Sequence, residues 1–365
     1  MIPARSADIT AEWLNQALHQ SGFLKDANIT SIGYQQWGTG EGFVSDMARF
    51  TLTYDRAAPG LPASLVAKLP TSFESAHAMA MLFNIYEREI RFYAEAAPRS
   101  PIRTPELIYC DVAPENQRYI LLMEDCSCYQ AVDQIEGLTR EQVEQVALML
   151  ADFHARWWDA DDLYSFPWMP TNTGPVAWAL VDAFRGYWDF SVQVPGFVDA
   201  LPEGGREAGD RIREQYHWLI ETGANEHLTI AHFDFRVDNL FFDPGNSEKP
   251  VIVYDWQAAN INRGVIDLSY LLGGSVTVDM RRQIEKDIVR LYHDRLQERG
   301  VSGYSWEECW DDYRKGNLVF AYIPPLVYAT LDTSDARGQV LAPLLVNRHF
   351  TAIVDNDSTS LFPAR

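Results

Sequence analysis

The chain has no surplus of positive charge, no long apolar run and very little cysteine. Its 30 lysine and arginine residues stand against 51 acidic ones, a net charge of −21 over 365 residues. So acidic a chain argues against nucleic acid and against an anionic membrane surface as partners. An acidic groove for a cationic substrate is compatible with this charge, although general solubility explains it more simply. The four cysteines, Cys110, Cys126, Cys128 and Cys309, make no zinc set, because the Cys126-x-Cys128 pair has neither a second pair nor a nearby histidine. They read as incidental thiols of a reduced protein rather than as a disulfide frame. No segment approaches the roughly 20 apolar residues of a membrane span. The opening stretch M-I-P-A-R-S-A-D-I-T lacks an apolar core of signal-peptide length. The expectation is a soluble, cytoplasmic protein of unspecified oligomeric state.

What is present is an ordinary globular composition, 47% hydrophobic and 22% charged, at a length that favours two lobes. Asp8-Ile9-Thr10 caps a helix that should end near Gly22. Three alternating stretches follow, 29–37, 44–54 and 64–69, separated by turns at Gly38-Thr39-Gly40-Glu41-Gly42 and Ala58-Pro59-Gly60. Glycines in the first of these turns, with Ser45 just beyond, would let backbone N–H groups approach a phosphate, or would simply make a hairpin. Lys68 shares a strand face with Val66 and needs an anionic partner there. Residues 75–97 read as one helix carrying Glu87 and Glu89, ended by Pro98 and Pro101. Strands at 107–109 and 119–123 complete five, and the lobe boundary is placed at Cys126.

Beyond it, T-R-E-Q opens a helix over 139–158, with His154 read as a packed residue at its end. The region 159–197 is expected to be irregular. Its aromatic residues, among them Trp168, Trp178, Tyr187, Trp188 and Phe190, either pack as core or wall a pocket for a flat or cationic acceptor. Further helices are expected to end near 222 and to cover 284–298, 306–329 and 340–354, with Pro324-Pro325 breaking the third. Arg281-Arg282 is two charges on a helix and no nucleic-acid patch.

The densest chemistry lies in I-A-H-F-D-F-R-V-D-N-L-F-F-D-P-G-N, followed by V-I-V-Y-D-W-Q and D-L-S-Y-L-L. Apolar runs on either side of Asp243-Pro244-Gly245-Asn246 predict a hairpin. His232, Asp234 and Asn239 lie on its entry and Asp255 on its exit. Of Asp234, Asn239 and Asp255, two offer hard oxygen ligands for magnesium and the third a carboxylate free to orient a hydroxyl. Phosphoryl transfer needs that equipment.

H-x-D-x-x-x-x-N with Y-D-W resembles the aminoglycoside phosphotransferase family, relatives of choline and ecdysteroid kinases that share the protein-kinase-like fold. D-F-R-V-D-N-L-F-F-D, D-W-Q and D-L-S-Y-L-L are most similar to its broad bacterial branch. The resemblance implies an α+β fold of two lobes: a nucleotide-binding lobe over 1–125 with a helical extension at 1–28, and a larger helical lobe over 126–365 with the catalytic hairpin. It makes Asp234 the catalytic base, His232 a buttress of its loop, and Asn239 and Asp255 the magnesium ligands. Lys68 would hold the α and β phosphates, paired with Glu89 by the resemblance, although Glu87 could fill that role instead or both could be surface charges. Gly38, Gly40, Gly42 and Ser45 would cover them, and the backbone around Glu124 would meet the adenine edge. The implied cofactors are Mg²⁺ and ATP, or GTP in its place, with a small hydroxylated acceptor. Asp267 reads both as a helix cap and as the family's brace for the catalytic loop.

One position departs from the family, since Phe233 stands where glycine is usual. A bulky side chain is expected to refuse the torsions open to glycine and to set the loop differently. Two rival readings remain: a nucleotide-sensing module without turnover, and a metal-dependent hydrolase built on His227, His232, Asp234 and Asp255.

Overall fold

A computed structural model describes residues 1–37, 44–57, 59–223, 226–330 and 336–364. The chain divides into two compact units. One comprises Met1–Arg99, Arg103–Gln130 and Ile252–Gln257; the other comprises Ser100–Ile102, Ala131–Val251 and Ala258–Arg365.

In the first unit, β1 (Ile29–Trp37), β2 (Ser45–Tyr54), β3 (Ser64–Pro70), β4 (Leu107–Ala113) and β5 (Arg118–Glu124) form one antiparallel sheet in the order β1-β2-β3-β5-β4. Helix α1 (Ala11–Gln20) precedes it, and Thr10 Oγ1 accepts from Trp13 N–H at 3.1 Å as its cap. Leu14 and Leu18 of α1 share a core with Phe50, Leu65, Ala67 and Leu122. The period-2 alternation of β3 therefore gives Leu65 and Ala67 to this core and leaves Val66 and Lys68 on the other face.

The single helix expected over 75–97 is in fact two, α2 (Glu74–Leu82) and α3 (Ile85–Arg91). The break falls at Asn84, whose φ of +52° is left-handed, a conformation asparagine tolerates better than most residues. A π-helical turn over Phe92–Ala96 then widens the chain ahead of Pro98. Phe92 stacks flat on Trp256, centroids 3.7 Å apart, and Val253 N–H donates to Arg103 O at 2.9 Å. These contacts hold the 252–257 segment in the first unit.

The second unit is mostly helical. It contains α4 (Arg140–Trp157), α5 (Pro175–Ser191), α6 (Pro195–Ala200) and α7 (Gly205–Glu221), then the short strands β6 (Thr229–Ala231) and β7 (Leu240–Phe242). The chain continues through β8 (Val251–Val253), which crosses into the first unit, and β9 (Asn260–Asn262), which pairs with β6. It ends in α8 (Val265–Ser275), α9 (Val278–Glu298), α10 (Trp306–Val319), α11 (Ile323–Thr330) and α12 (Ala336–Asp355). The turn at 243–246 is closed by Asp243 N–H donating to Pro250 O at 2.7 Å. Thr139 and Gln142 exchange hydrogen bonds as a capping box at the start of α4.

The expected irregular stretch 159–197 is instead largely helical. In α5, Ala177, Val181, Phe184 and Trp188 are buried at spacings of four, three and four, a helical stripe that the many aromatics obscured. Trp188 is wholly buried and donates to Asp210 Oδ1 at 2.8 Å. Gly209 makes room for it: a Cβ there would lie 1.9 Å from the indole. The third late helix splits before Pro324, with a 3₁₀ turn at Phe320–Tyr322 between α10 and α11.

His349 of α12 is buried against the Tyr270 ring, 5.7 Å between centroids. Burial, reinforced by the adjacent Arg348 charge, pushes its pKa down to about 3. An unfolded histidine titrates near 6.5. Between those values the unfolded chain binds a proton that the folded chain refuses. This contribution to stability is therefore complete above pH ~6.5 and is lost as pH falls toward 3, at about 1.4 kcal/mol per pH unit. Urea unfolding of the wild type and of His349→Gln from pH 7 to 4.5 should show the wild type losing stability more steeply. Parallel curves would mean that the folded chain accepts the proton.

Candidate active site

Each unit carries one half of the residues singled out in the sequence. In the first, β3 places Lys68 opposite Met47 of β2 and Leu121 of β5. Its Nζ lies 2.7 Å from Asp255 Oδ1 and 2.8 Å from Glu89 Oε2. Glu87, the alternative, is paired with Arg91 at 2.6 Å. Burial pulls the Lys68 ammonium down, but the charges of Asp255 and Glu89 outweigh it and hold the pKa above that of an ordinary lysine. For Glu89, burial drives the carboxyl up to about 7, with Lys68 offsetting only part of the rise. Two carboxylates thus share one cation in a nearly dry site. Asp255 sits at φ +64°, and the bulk of Trp256 just beyond it, stacked on Phe92, anchors that left-handed turn.

Gly38, Gly40 and Gly42 lie outside the described residues. Ser45 opens β2 with its hydroxyl buried and without a hydrogen-bond partner among the described residues. Glu124 ends β5, where its carboxylate accepts from Tyr129 OH at 2.9 Å and from Glu106 N–H at 3.1 Å. Its own N–H donates to Glu106 O, so that N–H is already engaged within the unit.

In the second unit, β6 runs into His232, Phe233 and Asp234. The wholly buried Asp267 carboxylate accepts from His232 N–H at 2.7 Å and from Phe233 N–H at 2.9 Å. Of its two sequence readings, brace and cap, the structure takes the brace: α8 begins after Gly264 with no side-chain cap. His154 backs this carboxylate, with Nε2 3.4 Å from Asp267 Oδ2 and Nδ1 2.9 Å from Tyr292 OH. Gly264 permits this approach, since a Cβ there would lie 2.6 Å from the imidazole.

The expectation for Phe233 is corrected. It does adopt the torsion open to glycine, φ +65°, because two successive N–H groups must converge on one carboxylate. Asp234 N–H then donates to His232 Nδ1 at 3.2 Å, so His232 buttresses the loop through its ring. A 3₁₀ turn over Val237–Asn239 carries Asn239 back to Asp234. There its amide nitrogen donates to Asp234 O at 2.8 Å and Oδ2 at 3.1 Å. Arg236 Nε lies 3.6 Å from Asp234 Oδ1, and Val237 N–H donates to Ser275 Oγ at 3.0 Å.

His227 faces Asp159 at 3.7 Å and packs against the Tyr304 ring. Among the described residues, no group of three or more His, Cys, Asp and Glu side chains is arranged to hold a metal. The aromatic insert divides. Trp157, Phe184 and Trp188 are core, whereas Tyr187 and Phe190 line an open groove of about 450 Å³ with Asp182 and Ala329.

Sequence reasoning passed over Tyr292, Ser275 and Tyr270 as parts of the site. For Tyr270 a signal existed: it follows Asp267 by three residues and so shares its helix face.

Comparison with known proteins bears on the fold and the family. A profile of the ecdysteroid kinase-like family matches residues 39–156 and 199–300, more than half of the chain. The GDP complex of wild-type aminoglycoside 2'-phosphotransferase-IIIa superposes with a TM-score of 0.56 at 14% identity, over 92% of this chain and 98% of that one. The GDP and kanamycin complex of APH(2")-IIIa gives a TM-score of 0.53 at 14% identity, over 94% of this chain and all of that one. These likenesses show the fold, an α+β fold of the protein-kinase-like phosphotransferases. An uncharacterised oxidoreductase of Caenorhabditis elegans, dhs-27, is 22% identical over 336 residues. The match takes in 82% of this chain, which spans only 39% of that relative's length.

Because Asp267 serves two backbone donors at once, Asp267→Asn must turn an N–H toward one of them. The substitution should destabilise the protein by about 2–4 kcal/mol in urea unfolding; a change below about 0.5 kcal/mol would show that the brace is dispensable. The chain belongs to the ecdysteroid kinase-like family.

Proposed function

We propose that the protein transfers the γ-phosphate of ATP, or of GTP, to a hydroxyl of a small molecule in the cytoplasm. The observation that carries this reading is the pairing of Asp234 with Asn239. The Asn239 amide nitrogen is spent on Asp234, which leaves its oxygen as the ligand atom beside a carboxylate able to take a proton. Asp234 orients the acceptor hydroxyl and accepts its proton as the oxygen attacks phosphorus. His232 holds the backbone of that loop. Lys68, steadied by Glu89, binds the α and β phosphates, with Ser45 and the glycine turn at Gly38, Gly40 and Gly42 covering them. The adenine edge lies along the backbone near Glu124.

Asn239 and Asp255 suit magnesium: one amide oxygen and one carboxylate are hard donors, and Mg²⁺ keeps water and phosphate oxygens for its remaining positions. Asp255 Oδ1 accepts from Lys68 Nζ at 2.7 Å, and Gln257 Nε2 lies 3.5 Å from Oδ2. When bound, the metal would neutralise charge developing on the phosphates. The acceptor is a small hydroxylated compound with an aromatic or cationic part. This rests on the Tyr187 and Phe190 groove with its Asp182 carboxylate and on the net charge of −21.

An acceptor screen by ATP and GTP consumption tests the assignment on the wild type, Asp234→Ala and Asp255→Ala. Asp234→Ala should lose about 100-fold or more in turnover yet keep its affinity for magnesium-nucleotide, whereas Asp255→Ala should lose that affinity. Nucleotide binding by the wild type without turnover on any acceptor would favour a sensing module. Equal turnover in all three proteins would dismiss the assignment.

A further inference from the structure

The loop over 232–239 is held by more than the Asp267 brace. Helix α8 is buried along all 11 of its residues and meets the loop at both ends. In its first turn Asp267 takes the His232 and Phe233 N–H groups. At its last residue the wholly buried Ser275 takes the Val237 N–H on Oγ at 3.0 Å. Eight residues of helix separate the two, a rise of about 12 Å that no side-chain motion alters. Asp234 lies on the span between these fixed points. Val237 also opens the 3₁₀ turn that returns the Asn239 amide to Asp234.

The Ser275 end is itself closely built. Leu138 N–H donates to Ser275 O at 2.9 Å. Gly137, at φ +80°, passes so near that a Cβ would lie 3.1 Å from the same oxygen. Arg348 of α12, also buried, donates to Gln134 O at 2.6 Å, Ile135 O at 2.9 Å and Gly274 O at 3.2 Å. A cation there suits the negative end of α8. The Gln134 side chain then reaches back toward the loop. Its Oε1 accepts from Arg236 Nη1 at 3.4 Å, and Arg236 Nε is 3.6 Å from Asp234 Oδ1.

We propose that Ser275 is a positioning residue for Asp234, setting the far end of the loop as Asp267 sets the near one. A single pin would fix where the loop starts and leave the Asp234 carboxylate to swing with the turn beyond it. Two pins on one buried helix fix the base itself, so little reorientation remains when the acceptor hydroxyl arrives. This role rests on Asp234 as the base proposed above.

The test compares the wild type, Ser275→Ala, Ser269→Ala and Asp234→Asn. It follows ADP formed from magnesium-ATP with water as acceptor, and amide hydrogen exchange over 232–242. Ser269 is the control: it lies on α8, is as deeply buried, and its hydroxyl donates to Asn317 Oδ1 at 2.8 Å. Both serine variants should lower the melting temperature by a similar amount, since each removes one buried hydrogen bond. Only Ser275→Ala should lower kcat, about tenfold, with KM for magnesium-ATP kept within about twofold. Only Ser275→Ala should speed exchange of the Val237 amide, again about tenfold or more. Unchanged exchange there overturns the inference, as does a kcat loss shared equally by Ser269→Ala, which would mark a loosened helix. An unimpaired Ser275→Ala beside an inactive Asp234→Asn overturns this inference alone. Full turnover by Asp234→Asn overturns the base assignment and this inference with it.

Discussion

A single wholly buried carboxylate, that of Asp267, decides how the loop over 232–239 in the second unit is folded. A buried anion is tolerable only when its oxygens are served, and the backbone N–H groups of His232 and Phe233 serve both of them, with the His154 ring 3.4 Å away. The loop conforms to this demand. Hydrogen bonds to a charged acceptor are worth about 1.5–3 kcal/mol each, and two of them exceed the roughly 1–2 kcal/mol of left-handed strain at Phe233. The torsion that side-chain bulk argues against is therefore the stable one. His154 cannot reach Asp267 without Gly264 beside it, so a histidine on α4 and a glycine before α8 belong to the same device.

The sequence made some of this legible and hid the rest for physical reasons. Strands such as β1 and β3 could be read because alternation is local and turns at glycine and proline bound them. The Thr139 capping box could be read because its partner is three residues away. Asn84 could not, since an asparagine in a helical pattern reveals its φ only once its neighbours pack. Helix α5 was obscured by aromatic density, although Ala177, Val181, Phe184 and Trp188 carry its period. Within the candidate site, the family resemblance set Glu89 beside Lys68, while residue types and spacing named Lys68, Asp234, Asn239 and Asp255. They did not separate Glu89 from Glu87, which takes the helix phase that sends one to Lys68 and the other to Arg91. Nor did they show Tyr292, which comes 138 residues after the His154 it supports.

The first unit poses the opposite electrostatic problem. Asp267 is an anion surrounded by donors, whereas Lys68 is a cation claimed by two acids. With Glu89 and Asp255 both within 2.8 Å of Nζ, the triad holds a surplus of negative charge where burial makes every charge costly. The upward pressure on Glu89 expresses that surplus. An arrangement of this kind relaxes if one carboxylate finds another cation. On the proposed reading, Asp255 is the one that would, because it is the more exposed of the two, at 18% against 5%.

This bears on how so acidic a chain would hold an anionic nucleotide at all. Long-range attraction is unavailable at a net charge of −21, and salt would screen whatever local field existed beyond roughly 10 Å. On the proposed reading, recognition would be short-range, through one buried ammonium and a divalent ion that would reverse the sign of its surroundings. Under that constraint Lys68 and the oxygens proposed to hold the metal would not add independently. On the proposed reading, a metal held by Asp255 would leave the Lys68 ammonium to the phosphates. Nucleotide and metal would bind as one unit, each weak without the other.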